Sequence, residues 1–173
     1  MGIFAKNREE WAVIDIACIR SSCTIVPFFD SLGPSALTFV LNQTEVETMC
    51  IDAGGFDHLL KVKPECAHLK TIVTFDDLPE EKLNKAKELG IKVYHYNDIL
   101  NEGKKHPDAT FREPTPETTH MFCYTSGTTG DPKAAILTHS CFVPVGKTID
   151  FFSGGLFPED VAISYLPYAH VFE

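Results

Sequence analysis

Over the first 54 residues, short apolar runs alternate with longer helical patterns: Gly2 to Ala5, Arg8 to Ser22, Thr24 to Phe28, Pro34 to Gln43 and Glu47 to Asp52. That alternation is the rhythm of βαβ units and predicts an α/β fold, a mainly parallel sheet flanked by helices. Between Arg8 and Ser22, the residues Trp11, Ile14 and Cys18 share one helical face, while Val13, Ile16 and Ala17 cover much of the rest. This predicts a helix buried on several sides. Gly33-Pro34 breaks the chain before the second helix. Pro34 suits the first helical position, where no N–H is needed.

Residues 55–113 hold apolar runs at Thr71 to Phe75 and Ile91 to Tyr96 among many charges, the pattern of two more strands under well-solvated helices. Between Leu78 and Leu89 a surface helix is predicted, with Glu80 and Glu81 in its first turn, lysines later and Gly90 as its stop. The polar stretch 104–119, with Pro107, Pro114 and Pro116, reads as a linker. The chain thus divides into a first βαβ-type portion, residues 1–113, and a second portion, residues 114–173. In the second, a strand from His120 to Thr125 precedes a polar loop from Ser126 to Lys133 and a short strand from Ala134 to Thr138. A helix over 139–152 and a last strand from Val161 to Leu166 are expected after it.

Composition narrows the function classes. With 44% hydrophobic and 23% charged residues the chain can bury a core, and its net charge of −9 makes nucleic acid an unfavourable partner. No window is apolar enough to span a membrane, since Arg20, His139, Pro144 and Lys147 interrupt the best stretches. No secretory signal is read at the start, and Lys6 stands where myristoylation needs Ser or Thr. The six cysteines are widely and irregularly spaced and are read as reduced. Neither an HExxH nor a CxxC occurs, so a structural zinc is not expected.

The chemistry-bearing segment is Thr125-Ser126-Gly127-Thr128-Thr129-Gly130-Asp131-Pro132-Lys133, which packs four hydroxyls, two glycines and a lysine directly after a strand. Glycines let the backbone approach an anion, hydroxyls donate to phosphate oxygens, and a lysine adds a mobile positive charge. The composition suits a polyphosphate, although Thr, Gly, Asp and Pro also build ordinary turns. The spacing is not that of a Walker A loop. The downstream Gly146-Lys147-Thr148 has Cys141 where that motif needs its first glycine, and no GxGxxG exists.

The run Phe122 to Lys133, FCYTSGTTGDPK, continuing into AAILTHS, resembles the AMP-binding signature of the adenylate-forming superfamily. A second block, YLPYAHVFE from Tyr165 to Glu173, is similar to one that follows it in long-chain acyl-CoA synthetases, as are GIFAKNREEW and VPFFDSLGPSAL. The resemblance covers essentially the whole chain. It implies ATP-dependent activation of a long-chain fatty acid, first to an acyl-adenylate and then to acyl-CoA, with ATP, Mg2+ and CoA taking part. It further implies that Thr125, Ser126, Gly127, Thr128, Thr129, Gly130 and Lys133 embrace the β- and γ-phosphates. His170 is implied beside the acyl carboxylate, and a core histidine remains the alternative.

Against that pattern, Ala134 stands where glycine commonly follows the lysine, and Ser140 where asparagine often follows the histidine. A methyl at Ala134 would cost up to about 1 kcal/mol if the site needs a positive φ. The family's adenine-binding and ribose-binding stretches, its magnesium ligand and its C-terminal lid domain have no counterpart in this sequence. The resemblance is therefore to an incomplete part of the large N-terminal domain, with an exposed apolar face where further structure packs. A truncated, inactive fragment with at most weak nucleotide binding is the competing expectation. The subfamily works on the cytoplasmic side of the endoplasmic reticulum or other organelle membranes, so an intracellular location is implied, with peripheral membrane association through parts outside this sequence.

Overall fold

The computed structural model describes residues 1–125, 131–153, 155, 157–161 and 163–170. The predicted alternation is realised as β1 (Gly2–Phe4), α1 (Glu9–Arg20), β2 (Val26–Pro27), α2 (Pro34–Gln43), β3 (Thr48–Ile51) and α3 (Ala53–Val62). It continues through β4 (Thr71–Thr74), α4 (Glu80–Glu88), β5 (Lys92–His95) and α5 (Tyr96–Gly103). The five strands form one all-parallel sheet in the order β2-β1-β3-β4-β5. The order reverses between β1 and β3, and a doubly wound sheet opens a crevice beyond the carboxyl ends of its strands at such a point.

Alternate strand residues feed two cores, as the pleat requires. Met49, Ile51 and Ile72 join the cluster under α2, α3 and α4, whereas Cys50 and Val73 face the opposite side with Phe75 and Tyr96. Helix α3 corrects an expectation: its Phe56, Leu59 and Leu60 are buried, so it is a core element and not a well-solvated one. Its first turn is capped by Asp52, whose carboxylate accepts from the Gly55 N–H at 3.1 Å. A side chain at Gly55 would place its Cβ 3.0 Å from the Phe4 ring and 3.1 Å from Ile51 Cδ1, so glycine is what lets α3 lie against β1 and β3.

Helix α1 is buried on one side only. Trp11 and Cys18 are inside, but Ile16 is 56% exposed, against the expectation of burial on several sides. The local apolar pattern outran the number of neighbours available to cover it. Pro34 does open α2, and Gly90, at φ +73°, does end α4.

The second portion contributes β6 (Thr119–Thr125), β7 (Lys133–Thr138) and α6 (His139–Ser153). Strands β6 and β7 are antiparallel, with Thr125 opposite Lys133 and Tyr124 opposite Ala134. The hairpin joins the main sheet beside β2, where Ile25 N–H donates to His120 O and Phe122 N–H to Ile25 O. The strand expected between Val161 and Leu166 does not form among the described residues: Val161, Ile163 and Tyr165 stand exposed. A strand needs a ladder partner, and an apolar run alone does not supply one. Ile136, Val143, Val145 and Phe151 likewise leave apolar surface exposed on β7 and α6.

Candidate functional site

Thr125 ends β6 and Lys133 opens β7, so the ladder sets them face to face at the mouth of the phosphate-type loop, with Thr125 Oγ1 donating to Lys133 O at 3.4 Å. Both are exposed, leaving their side chains available to a ligand. Ser126, Gly127, Thr128, Thr129 and Gly130 lie outside the described residues, as does Glu173. Ala134 sits within β7, and positive φ among the described non-glycine residues occurs only at Ser22 and Glu45. The methyl therefore carries no backbone penalty there. Below the mouth, Tyr124 donates its hydroxyl to Gln43 Oε1, tying the end of β6 to α2. A cavity of about 380 Å³ opens beside this mouth, lined by Phe29, Leu32, Gly33, Ala36, Thr125 and Pro132 among others.

His170 is half-buried and donates its backbone N–H to Pro167 O at 2.7 Å. The segment before it is held by Asn7, from the loop after β1. Asn7 Nδ2 donates to Leu166 O at 2.6 Å, and Tyr168 N–H donates to Asn7 Oδ1 at 2.7 Å. The Tyr168 ring lies 5.3 Å from that of Trp11 on α1. Lys6, Asn7, Phe28, Phe29, Asp30 and Pro167 contribute to a second cavity of about 200 Å³. Phe29 lines both cavities, so the hairpin mouth and the His170 segment border one run of surface at the carboxyl ends of β1 and β2.

That run extends across the switch point into a cavity of about 550 Å³, which shares Lys6, Asn7 and Asp30 and adds Arg8, Asp52 and Asp76. Its polar groups fix the loop that carries Asn7. Asp52 accepts from the Lys6 N–H at 3.2 Å, Asp76 accepts from Ala53 N–H at 2.8 Å, and Arg8 bonds Asp76 at 2.9 Å and Glu10 at 2.7 Å. The bond to Glu10 is the main cause that raises the Arg8 pKa, and Arg8 in turn holds the Glu10 carboxyl below its ordinary value. Sequence reading missed Asn7, Phe29 and Asp30. Their signal was positional: polar and aromatic residues just beyond parallel strands at a reversal of strand order.

Behind the hairpin strand, His120 on β6 is 4% exposed and faces Asp15 on α1, Nε2 to Oδ1 3.5 Å, with the His139 ring of α6 5.3 Å away. Asp15 Oδ1 and His120 Nδ1 have no hydrogen-bond partner among the described residues. Burial pushes the Asp15 carboxyl up to about 6; burial first, then His139, pushes His120 down to about 4. Because the folded Asp15 pKa lies above its unfolded value, ionisation costs stability: the penalty is complete above about 6 and gone below about 4. For His120, with its folded pKa depressed, the cost of charging appears below about 6.5 and is complete below about 4. Asp15→Asn is therefore expected to stabilise the chain at pH 8 by about 1–3 kcal/mol, with the gain fading towards pH 4. Urea midpoints at the two pH values measure it, and a loss of stability at pH 8 would contradict the assignment.

Comparison with known proteins shows the family and the fold. The family model described as AMP-binding enzyme matches residues 1–173. The chain is 38% identical over 177 residues to fatty acyl-CoA synthetase B of Dictyostelium discoideum and 36% identical over 182 residues to long-chain-fatty-acid–CoA ligase 5 of Rattus norvegicus. All of this chain is covered in both cases, and 26% of each relative. Among solved structures, the A domain of carboxylic acid reductase from Segniliparus rugosus, in complex with AMP and a co-purified carboxylic acid, superposes with a TM-score of 0.80 at 14% identity. That match covers 99% of this chain and 30% of the other, and shows a shared fold. The chain belongs to the AMP-binding enzyme family. It spans about a quarter of the length of the curated relatives it matches.

Proposed function

We propose that this chain is the phosphate-loop part of an enzyme that activates a long-chain fatty acid with ATP and passes the acyl group to CoA. The observation that carries the proposal is the pairing of Thr125 with Lys133 across the loop mouth, at the carboxyl edge of a doubly wound sheet, in a chain of the AMP-binding family. The names of the relatives support the substrate class. In the first step the fatty-acid carboxylate attacks the α-phosphorus and pyrophosphate leaves. In the second, the CoA sulfur attacks the acyl carbonyl and AMP leaves. Both steps bring anions together, so positioned donors matter more than a side-chain nucleophile.

Thr125, Ser126, Gly127, Thr128, Thr129 and Gly130 are proposed as donors to the β- and γ-phosphates, with Lys133 as the neutralising charge. The described residues do not fit a magnesium site. No group of three or more His, Cys, Asp or Glu among them is arranged for a metal, and Asp52 and Asp76 at the cleft already accept from backbone N–H groups. No step is assigned to the ion here, and its ligands are proposed outside this chain. His170 is proposed beside the acyl carboxylate, on the segment held by Asn7.

The test is fatty-acid-dependent ATP–pyrophosphate exchange by the complete native polypeptide that contains this sequence. Exchange that rises with long-chain acids is the expected result. Its absence for every fatty acid, with the polypeptide folded, would favour the inactive reading. His170→Ala is expected to alter acyl-chain selectivity or adenylation, and a variant unchanged in both would make His170 a packing residue.

A further inference from the structure

Helix α1 ends through Ser21 and Ser22, and Ser22 adopts φ +53°, so the chain folds back on the helix before β2. In that turn the Cys23 N–H donates to Cys18 O at 2.9 Å, which sets the two cysteines side by side. Their thiols act on each other in opposite directions. The Cys18 neighbour is the main cause that holds the Cys23 thiol below its ordinary value, while Cys23 and burial raise Cys18. Cys23 is half-buried and Cys18 is buried. Behind them the Cys18 and Cys50 thiols each donate to Met1 Sδ at 3.7 Å. Burial pushes Cys50 up to about 12, so it stays a thiol.

We propose that Cys18 and Cys23 form an oxidant-sensitive dithiol that hydrogen peroxide converts to a disulfide across the α1–β2 turn. The partly exposed Cys23 meets the oxidant first, because reactivity follows thiolate character and access. Its thiolate attacks one peroxide oxygen, the O–O bond breaks, hydroxide leaves and takes up a proton, and Cys23 becomes a sulfenic acid. The Cys18 sulfur then attacks the Cys23 sulfur, the S–O bond breaks and a second water leaves. Both sulfurs are oxidised by one electron each, and one peroxide is reduced to two waters. Disulfides need closely apposed residues, and the turn supplies the apposition before any oxidation.

The location gives the bond a structural consequence. The same turn holds β6 through Thr24 Oγ1 donating to Thr119 O and Ile25 N–H to His120 O, and the stretch before it through Ser22 Oγ donating to Arg112 O. A disulfide would stiffen the joint between the main sheet and β6, which leads to the phosphate-type loop. Cys141 provides an internal comparison, because it is exposed and its thiol is lowered by Thr138.

The experiment treats the native protein with graded hydrogen peroxide, alkylates the remaining thiols and digests it with trypsin without reduction. Cleavage after Arg8, Arg20 and Lys61 places Cys18 on peptide 9–20 and Cys23 on peptide 21–61. The expected product is these two peptides joined, about 2 Da lighter than their sum and separated by dithiothreitol. Cys50 shares the second peptide, so the link should survive Cys50→Ser and vanish in Cys23→Ser. The proposal is overturned if both cysteines stay fully alkylatable in the unsubstituted protein at peroxide levels that consume Cys141. It is equally overturned if Cys50→Ser abolishes the link. The readout is a mass and owes nothing to ligase activity, so it fails or succeeds apart from the proposed function.

Discussion

Under the proposed function, replacing Lys133 by Ala in the native polypeptide is expected to lower ATP–pyrophosphate exchange by on the order of 10²-fold while leaving the fold's stability within about 0.5 kcal/mol. The split follows from where the residue sits. Its backbone belongs to the β6–β7 ladder, which alanine can maintain, and its side chain is exposed beside Thr125 at the loop mouth. What alanine removes is the positive charge beside a proposed triphosphate, and donors of that kind act mainly on charge that develops in the transition state. Lys133→Arg should recover part of the rate, since the charge returns with a different reach. Wild-type exchange in Lys133→Ala, at unchanged urea midpoint, would remove Lys133 from the site.

Phe56→Ala is expected to cost about 3–5 kcal/mol, a large share of the roughly 5–15 kcal/mol that holds a domain together. Phe56 is fully buried in the core under α2, α3 and α4. Gly55 next to it lets the helix approach the Phe4 ring, so no slack exists through which the cavity could close. The measurement is a urea unfolding curve, in which the midpoint should fall with little change in slope. A loss below about 1 kcal/mol would mean that α3 packs loosely and that the sequence reading of a solvated helix was the better one. Because the Asp52 cap and the cavity at the switch point are built on the same helix end, the variant should also weaken any ligand held there.

Much of the fold was legible. Apolar spacing set α1, α2, β3 and α4 close to their observed limits, and Pro34 and Gly90 marked helix ends for reasons internal to those residues. The misses share a cause. Ile16 fits a helical core pattern and is exposed, and the run from Val161 to Leu166 fits a strand that did not form, because burial and pairing need partners that periodicity cannot name. In the candidate site, the position of Thr125 and Lys133 at the two ends of a loop between strands was readable from a local motif. Asn7 was not, since the chain it holds lies about 160 positions away.

The sequence by itself determined the alternation of strands and helices, the polar loop between two short strands, and the family to which the pattern FCYTSGTTGDPK belongs. Each is carried by neighbouring residues, whose backbone preferences and side-chain chemistry act over a few positions. The tertiary structure alone decided that β1 lies between β2 and β3, that the hairpin joins at β2, and that Asn7 meets Leu166 and Tyr168. Those outcomes depend on which distant apolar faces and unpaired backbone groups satisfy one another, a competition settled by the whole chain at once.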